Sequence, residues 1–183
     1  ETIKRAYNYL KLNSQYGGVP LKLDVSTTVE LEFKRATSQE VLNQVIADFT
    51  QAYNLLSNTG GPGKITKDAA AHYLAKAYLA RASEINDSWN SATKTADLQQ
   101  VVTLADQVIA NHPLAANFAE LWNFTGADGA NEKLPELILS AQFNSNVLTS
   151  GGNQQHLYFL STYDQLPFMQ RSLSGGRPFS RLG

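Results

Sequence analysis

At 183 residues and 43% hydrophobic content, the chain is long enough to bury a substantial core as one or two compact units. Its 15 basic residues against 16 acidic ones give a net charge of -1, which excludes the broad basic face that nucleic acid requires. Cysteine is absent, so disulfides, zinc–thiolate sites and thiol nucleophiles are excluded together, and no apolar run approaches the roughly 20 residues that cross a bilayer as a helix.

The first predicted helix spans about 2–16, with Ala6, Tyr9, Leu10 and Leu12 on one side and Tyr16 beyond them. It stops at Tyr16-Gly17-Gly18. Paired glycines relieve the left-handed backbone that closes a helix, and Pro20 prevents its resumption. A polar, extended link follows. Thr37-Ser38-Gln39-Glu40 has the form of a capping box, opening a helix over about 38–57 that carries Val41, Leu42, Val45, Ile46, Phe49 and Ala52. Asn58 to Gly63 breaks it.

A third helix, about 66–86, starts at Thr66-Lys67-Asp68 and is rich in alanine, the best helix former and small enough to let neighbouring helices approach closely. It is expected to be the most buried. After a polar loop around Trp89, the fourth helix covers about 96–111 and ends at His112-Pro113, proline being a stop signal. Ala71, Leu74, Ala75 and Tyr78 match three of four positions of a tetratricopeptide first helix, and Val45, Phe49 and Ala52 have the spacing of a second. The loops are too long for a regular solenoid, so the pairs are degenerate.

Beyond residue 114 the periodicity fades. Phe118, Leu121, Trp122 and Phe124 predict a short helix and turn, with Trp122 expected in the core. Glu136 to Phe143 reads as a strand or extended segment entering it. From Asn144 to Gly183 no period is sustained; such long irregular stretches are commonly binding loops or disordered segments, and Tyr158, Phe159, Tyr163 and Phe168 favour order. The expected architecture is all-α: a helical scaffold over 1–113 with a loop-rich region over 114–183 packed on it. Glu1 opens directly on a helical pattern and Gly175 to Phe179 reads as unfinished loop, so the sequence is expected to be a fragment of one larger domain.

The order of these pieces resembles the SusD/RagB family of nutrient-binding outer-membrane lipoproteins. The matching segments are Arg5-Ala6-Tyr7 leading to Tyr16-Gly17-Gly18-Val19-Pro20-Leu21, then Arg35-Ala36-Thr37 before Glu40-Val41, then Gly63-Lys64-Ile65-Thr66-Lys67 opening the Leu74 to Leu79 helix. Leu121-Trp122 and Glu136-Leu137-Ile138-Leu139-Ser140 follow in the family's order, and Arg177 to Leu182 is similar to the approach to a further block. The resemblance implies tetratricopeptide-like helix pairs, anchorage outside the outer membrane by a lipid beyond this fragment, and a SusC-like TonB-dependent transporter as partner. It also implies non-covalent binding of oligosaccharide or another nutrient, with no enzyme activity.

Catalytic and metal constellations find no support in the residues. His72, His112 and His156 lack the spacing of a helical metal pair, and His72 reads as a packed side chain. Gly60-Gly61-Pro62-Gly63-Lys64 resembles a phosphate loop only superficially: Ile65 stands where a hydroxyl is required, so the segment reads as a turn before a helix. Asp128, Asn131 and Glu132 do not have EF-hand spacing, and nothing selects Glu132 with Glu136 as a hydrolytic pair. No cofactor and no metal are expected.

Sugar binding asks for less. Aromatic faces pack on the C–H patches of a pyranose while amides, carboxylates and guanidinium groups meet its hydroxyls. Loop residues supplying both are Trp89 and Asn90 in one segment, and Asn153, Gln155, Tyr158, Tyr163 and Arg171 in another. The alternative is a helical-repeat scaffold that binds a peptide or protein.

Overall fold

The computed structural model describes residues 1–61, 63–122 and 129–141. Glu1–Ser140 forms one compact unit built on four helices: α1 Thr2–Tyr16, α2 Ser38–Leu55, α3 Lys67–Arg81 and α4 Lys94–Asn111. No strand occurs among the described residues, as the all-α reading expects, and none of their helices is long and apolar enough to cross a membrane.

α1 ends where the paired glycines lie. Gly17 takes φ 69°, and its N–H donates to the Asn13 carbonyl at 2.9 Å. Gly18 is required for a different reason: a Cβ there would sit 2.0 Å from the carbonyl oxygen of Ala36. Tyr9 and Leu10 pack on the core as expected, whereas Leu12 and Tyr16 are exposed.

α2 starts on the capping box read from the sequence. The Glu40 N–H donates to Thr37 Oγ1 at 3.2 Å, and the Thr37 N–H donates to Glu40 Oε2 at 2.7 Å. Donation to the Glu40 carboxylate from the Thr37 N–H, and from the Thr37 hydroxyl at 2.8 Å, holds that carboxyl below its ordinary range. Val41, Leu42, Val45 and Phe49 are fully buried on one face, each contributing about 1.5–3 kcal/mol by leaving water. The helix ends at Leu55 rather than 57, because Leu56 is already extended at ψ 152°.

α3 lies between α2 and α4, and buries alanines at 69, 70, 71, 75 and 77 around nearly its whole girth. Tyr73 stacks on Phe49 with centroids 5.9 Å apart and meets Tyr7 of α1 edge-on at 5.2 Å. The helix stops at Arg81, five residues short of the expected end. The Asn86 amide donates to the Ala80 carbonyl at 2.9 Å, and the Asn90 amide donates to the Arg81 and Ser83 carbonyls at 2.9 and 3.0 Å. Side chains thus satisfy carbonyls that a longer helix would have satisfied with backbone, and a 3-10 turn over Glu84–Asn86 follows. α4 begins two residues before the expected 96, with the Lys94 N–H donating to the Asn90 carbonyl at 2.9 Å.

Two bidentate ion pairs fix the helices laterally. Arg5 of α1 grips Asp48 of α2 at 2.7 and 2.8 Å. Arg81 grips Asp97 of α4 at 2.8 and 2.7 Å and also donates to Asn43 of α2 at 2.8 Å. Hydrogen bonding to the carboxylate raises the pKa of each guanidinium.

Past α4 come two 3-10 turns, Phe118–Trp122 and Ala130–Lys133, packed on each other. Trp122, expected in the core, is 73% exposed. A five-residue turn has no face long enough to reach the helices, so Trp122 pairs with Phe118 at 6.0 Å instead. The described part of the expected 136–143 segment forms no strand; Ile138 packs against the core while Leu137 and Leu139 remain partly exposed, and Phe143 lies outside the described residues.

Candidate functional site

A cleft of about 490 Å³ opens at the N-terminal end of α3. Three separate segments wall it: the turn over 58–66, the end of α4 at Asn111 and His112, and residues 132–140. Its volume falls within the roughly 300–1,000 Å³ of small-molecule sites.

Asp68 organises this region. Its side chain is almost completely buried in the first turn of α3, where the helix dipole favours a negative charge. Gln107 donates to Oδ1 at 3.1 Å, Asn111 donates to Oδ2 at 2.9 Å, and His112 Nε2 lies 3.4 Å from Oδ2. His112 Nδ1 is 2.6 Å from the Pro135 carbonyl oxygen, so one imidazole links α3 to the segment forming the far wall. Glu136 accepts from the Ala115 N–H at 2.8 Å, which ties that segment to the stretch after α4.

The amides at the start of α3 are already taken. Lys67 N–H donates to the Ser57 carbonyl at 3.0 Å, Asp68 N–H to Asn58 Oδ1 at 3.0 Å, and Ala69 N–H to Thr66 Oγ1 at 3.2 Å. A helix start whose donors face its own loop has nothing left to cradle a phosphate, in agreement with reading Gly60 to Lys64 as a turn. The lining carries Lys64 and Lys133 together with Asp68 and Glu132, two charges of each sign. Leu134, Leu137 and Ile138 add an apolar strip. The arrangement suits an uncharged, hydroxyl-rich molecule better than an anion or a cation.

No group of three or more metal-ligating side chains occurs among the described residues. His72 is half-buried edge-on against Tyr73 at 5.4 Å, and burial pushes its imidazole pKa down. It is a packed side chain, as expected.

The sequence-predicted contacts fall elsewhere. Trp89 is half-buried in the connection after the 3-10 turn, beyond the C-terminal end of α3. The 15 residues of α3 separate it from the cleft by about 22 Å. Asn90 is 1% exposed and its amide is bonded to two backbone carbonyls, so its side chain builds the turn that carries Trp89 rather than facing a ligand. Asn153, Gln155, Tyr158, Tyr163 and Arg171 lie outside the described residues. Sequence reading did not find the cleft, because its walls are far apart in the chain and each alone reads as a turn or a helix end.

Residues 2–79 match the model of a SusD-like family described as "Starch-binding associating with outer membrane". Among solved structures the chain is similar to a SusD-like protein from Bacteroides fragilis, at 19% sequence identity and a TM-score of 0.61. The likeness covers 90% of this chain and 30% of that one, so the chain spans less than a third of that protein's length. At this identity the likeness speaks for the fold. No curated protein matches.

Proposed function

We propose that the protein, whose residues 2–79 match the model of a SusD-like family, is a non-catalytic, surface-exposed lipoprotein of the outer membrane that binds glycan and passes it to a SusC-like TonB-dependent transporter. The observation that carries this reading is the match of residues 2–79 to a family described as starch-binding and associated with that membrane.

The cleft supports it in chemical terms. Amides of Asn58 and Asn111, the Glu132 carboxylate and the Lys64 and Lys133 ammonium groups offer donors and acceptors in balance, as sugar hydroxyls require. An aromatic face comes from Trp89 on the α3–α4 connection, and the sequence offers Tyr158 and Tyr163 with Asn153, Gln155 and Arg171 as further contacts outside the described residues.

Calorimetric titration of the intact protein with malto-oligosaccharides, other neutral oligosaccharides and unrelated peptides tests the reading. Saturable heat is expected with a glycan, weakened at least about threefold by Trp89→Ala. Heat with peptides and none with any glycan would make the protein a helical interaction scaffold instead.

A further inference from the structure

His112, just past the end of α4, has an acceptor on each side of its ring. On one side Nδ1 lies 2.6 Å from the Pro135 carbonyl oxygen, which only accepts, so a bond this short needs a proton on Nδ1. On the other side Nε2 lies 3.4 Å from Asp68 Oδ2. Asp68 is an acceptor too: Gln107 and Asn111 donate to its two oxygens, and the Tyr53 hydroxyl donates to Gln107 Oε1 at 2.6 Å, which turns the Gln107 amide nitrogen towards Asp68. A neutral imidazole has one N–H and one lone pair, so it satisfies one of these neighbours and sets its lone pair against the other. The doubly protonated ring suits both.

Charge leads to the same state. Among the described residues, His112 is the one cation that pairs with the buried Asp68, and a buried carboxylate without a counter-ion is costly. His112 also lines the cleft, so water reaches its ring and exchanges protons with it.

Pro135 belongs to the far wall of the cleft, so the ring is a tie between that wall and α3. The wall has two further polar ties: the Leu137 N–H donates to the Leu134 carbonyl at 3.0 Å inside the wall itself, and Glu136 accepts from the Ala115 N–H after α4. Neither reaches α3. The ionisable groups that share the cleft with His112 are Asp68 of α3, Lys64 of the turn over 58–66, and Glu132 and Lys133 of the wall, while Gln107 and Asn111 of α4 are neutral. Carboxylates and ammonium groups ordinarily keep their charge between about pH 5.5 and about pH 8.5, and imidazole does not.

We propose that protonated His112 is a latch that holds the wall at Pro135 against Asp68 at the start of α3, and that loss of its proton releases this wall and widens the cleft. The proton that remains sits on Nε2, facing the carboxylate, which is the stronger acceptor, and Nδ1 then meets the Pro135 carbonyl with a lone pair. Nothing is left to draw Pro135 towards α3. The latch is a property of the wall and does not depend on what the cleft binds.

Nitrogen-15 spectra of the imidazoles and amide hydrogen exchange of the intact protein, each at about pH 5.5 and about pH 8.5, test the latch. At the lower pH both His112 nitrogens are expected to carry protons, and at the higher pH Nε2 alone. After correction for the intrinsic pH dependence of exchange, protection of the Leu137 and Ala115 amides is expected to fall at least about threefold from the lower pH to the higher. His112→Gln, which takes up no charge, is expected to abolish that fall, whereas His72→Gln and His156→Gln keep it. A singly protonated His112 at the lower pH, equal protection of these amides at both pH values, or an undiminished fall in His112→Gln overturns the proposal. The spectra need no variant, so they decide the protonation state even if His112→Gln does not fold.

Discussion

Replacing Gly18 with alanine places a methyl group 2.0 Å from the Ala36 carbonyl oxygen, 3.0 Å from the Thr37 carbonyl carbon and 3.1 Å from that of Ala36. All three neighbours are backbone, so no flexible side chain can swing aside. Ordinary contact begins near 3.4 Å, so the two chain segments must separate by about 1.4 Å. That movement breaks the Ala36 to Val19 bond and pulls Arg35 from the Gly18 carbonyl, each worth about 1 kcal/mol, on top of about 1–3 kcal/mol for overpacking. A loss of about 3–5 kcal/mol is expected. With a urea slope of about 2 kcal/mol per molar, the unfolding midpoint falls by about 1.5–2.5 M. Two other glycines separate the causes. Gly61 has open space and no positive φ, so Gly61→Ala is expected within about 0.5 kcal/mol of the parent. Gly17 has open space at φ 69°, so Gly17→Ala isolates the backbone contribution at about 1–2 kcal/mol. If Gly18→Ala and Gly61→Ala unfold at the same urea concentration, the close approach of residues 18 and 36 does not govern this corner.

Arg81→Met leaves Asp97, whose side chain is 3% exposed, without its counter-ion and is expected to cost about 3–5 kcal/mol in urea unfolding. Adding Asp97→Leu is expected to recover most of that loss, and a single-variant cost below about 1 kcal/mol would refute the role of the pair. Burial holds the His72 pKa below its unfolded value near 6.5, so the unfolded chain takes up the proton first and stability drops as pH falls through about 6.5. Measured at pH 7.5 and 5.5, His72→Gln should narrow the difference in urea midpoint; an unchanged difference removes His72 as a contributor. Thr37→Ala removes the hydroxyl half of the capping box and is expected to cost about 1 kcal/mol, with no effect counting against the cap.

What could be read from residues alone was what depends on near neighbours. Thr37 and Glu40 are three positions apart and announce α2 with certainty of chemistry rather than of context. Tyr16-Gly17-Gly18 likewise marks the end of α1, but the carbonyl that requires Gly18 belongs to Ala36, and no local pattern announces it. The third helix looked longer than it is because alanine propensity continues past Arg81, whereas the Asn86 and Asn90 amides, which end it, act through side-chain geometry. Trp122 was expected inside because large aromatics usually are; its turn is too short to reach the core. Of the candidate contacts, Trp89 is half-buried at the surface and Asn90 is internal. The cleft was illegible for a topological reason: Asn58, Asn111 and Glu132 meet only after α3 and α4 have been laid side by side.

Each helix in this unit packs chiefly on the one made just before it: α2 on α1, α3 on α2, α4 on α3. Contacts between elements adjacent in sequence close small loops, and small loops close quickly. A ribosome releasing this chain can therefore hand over a settled four-helix layer at about residue 111, while later stretches are still being synthesised. Ile138 then docks on packing already in place.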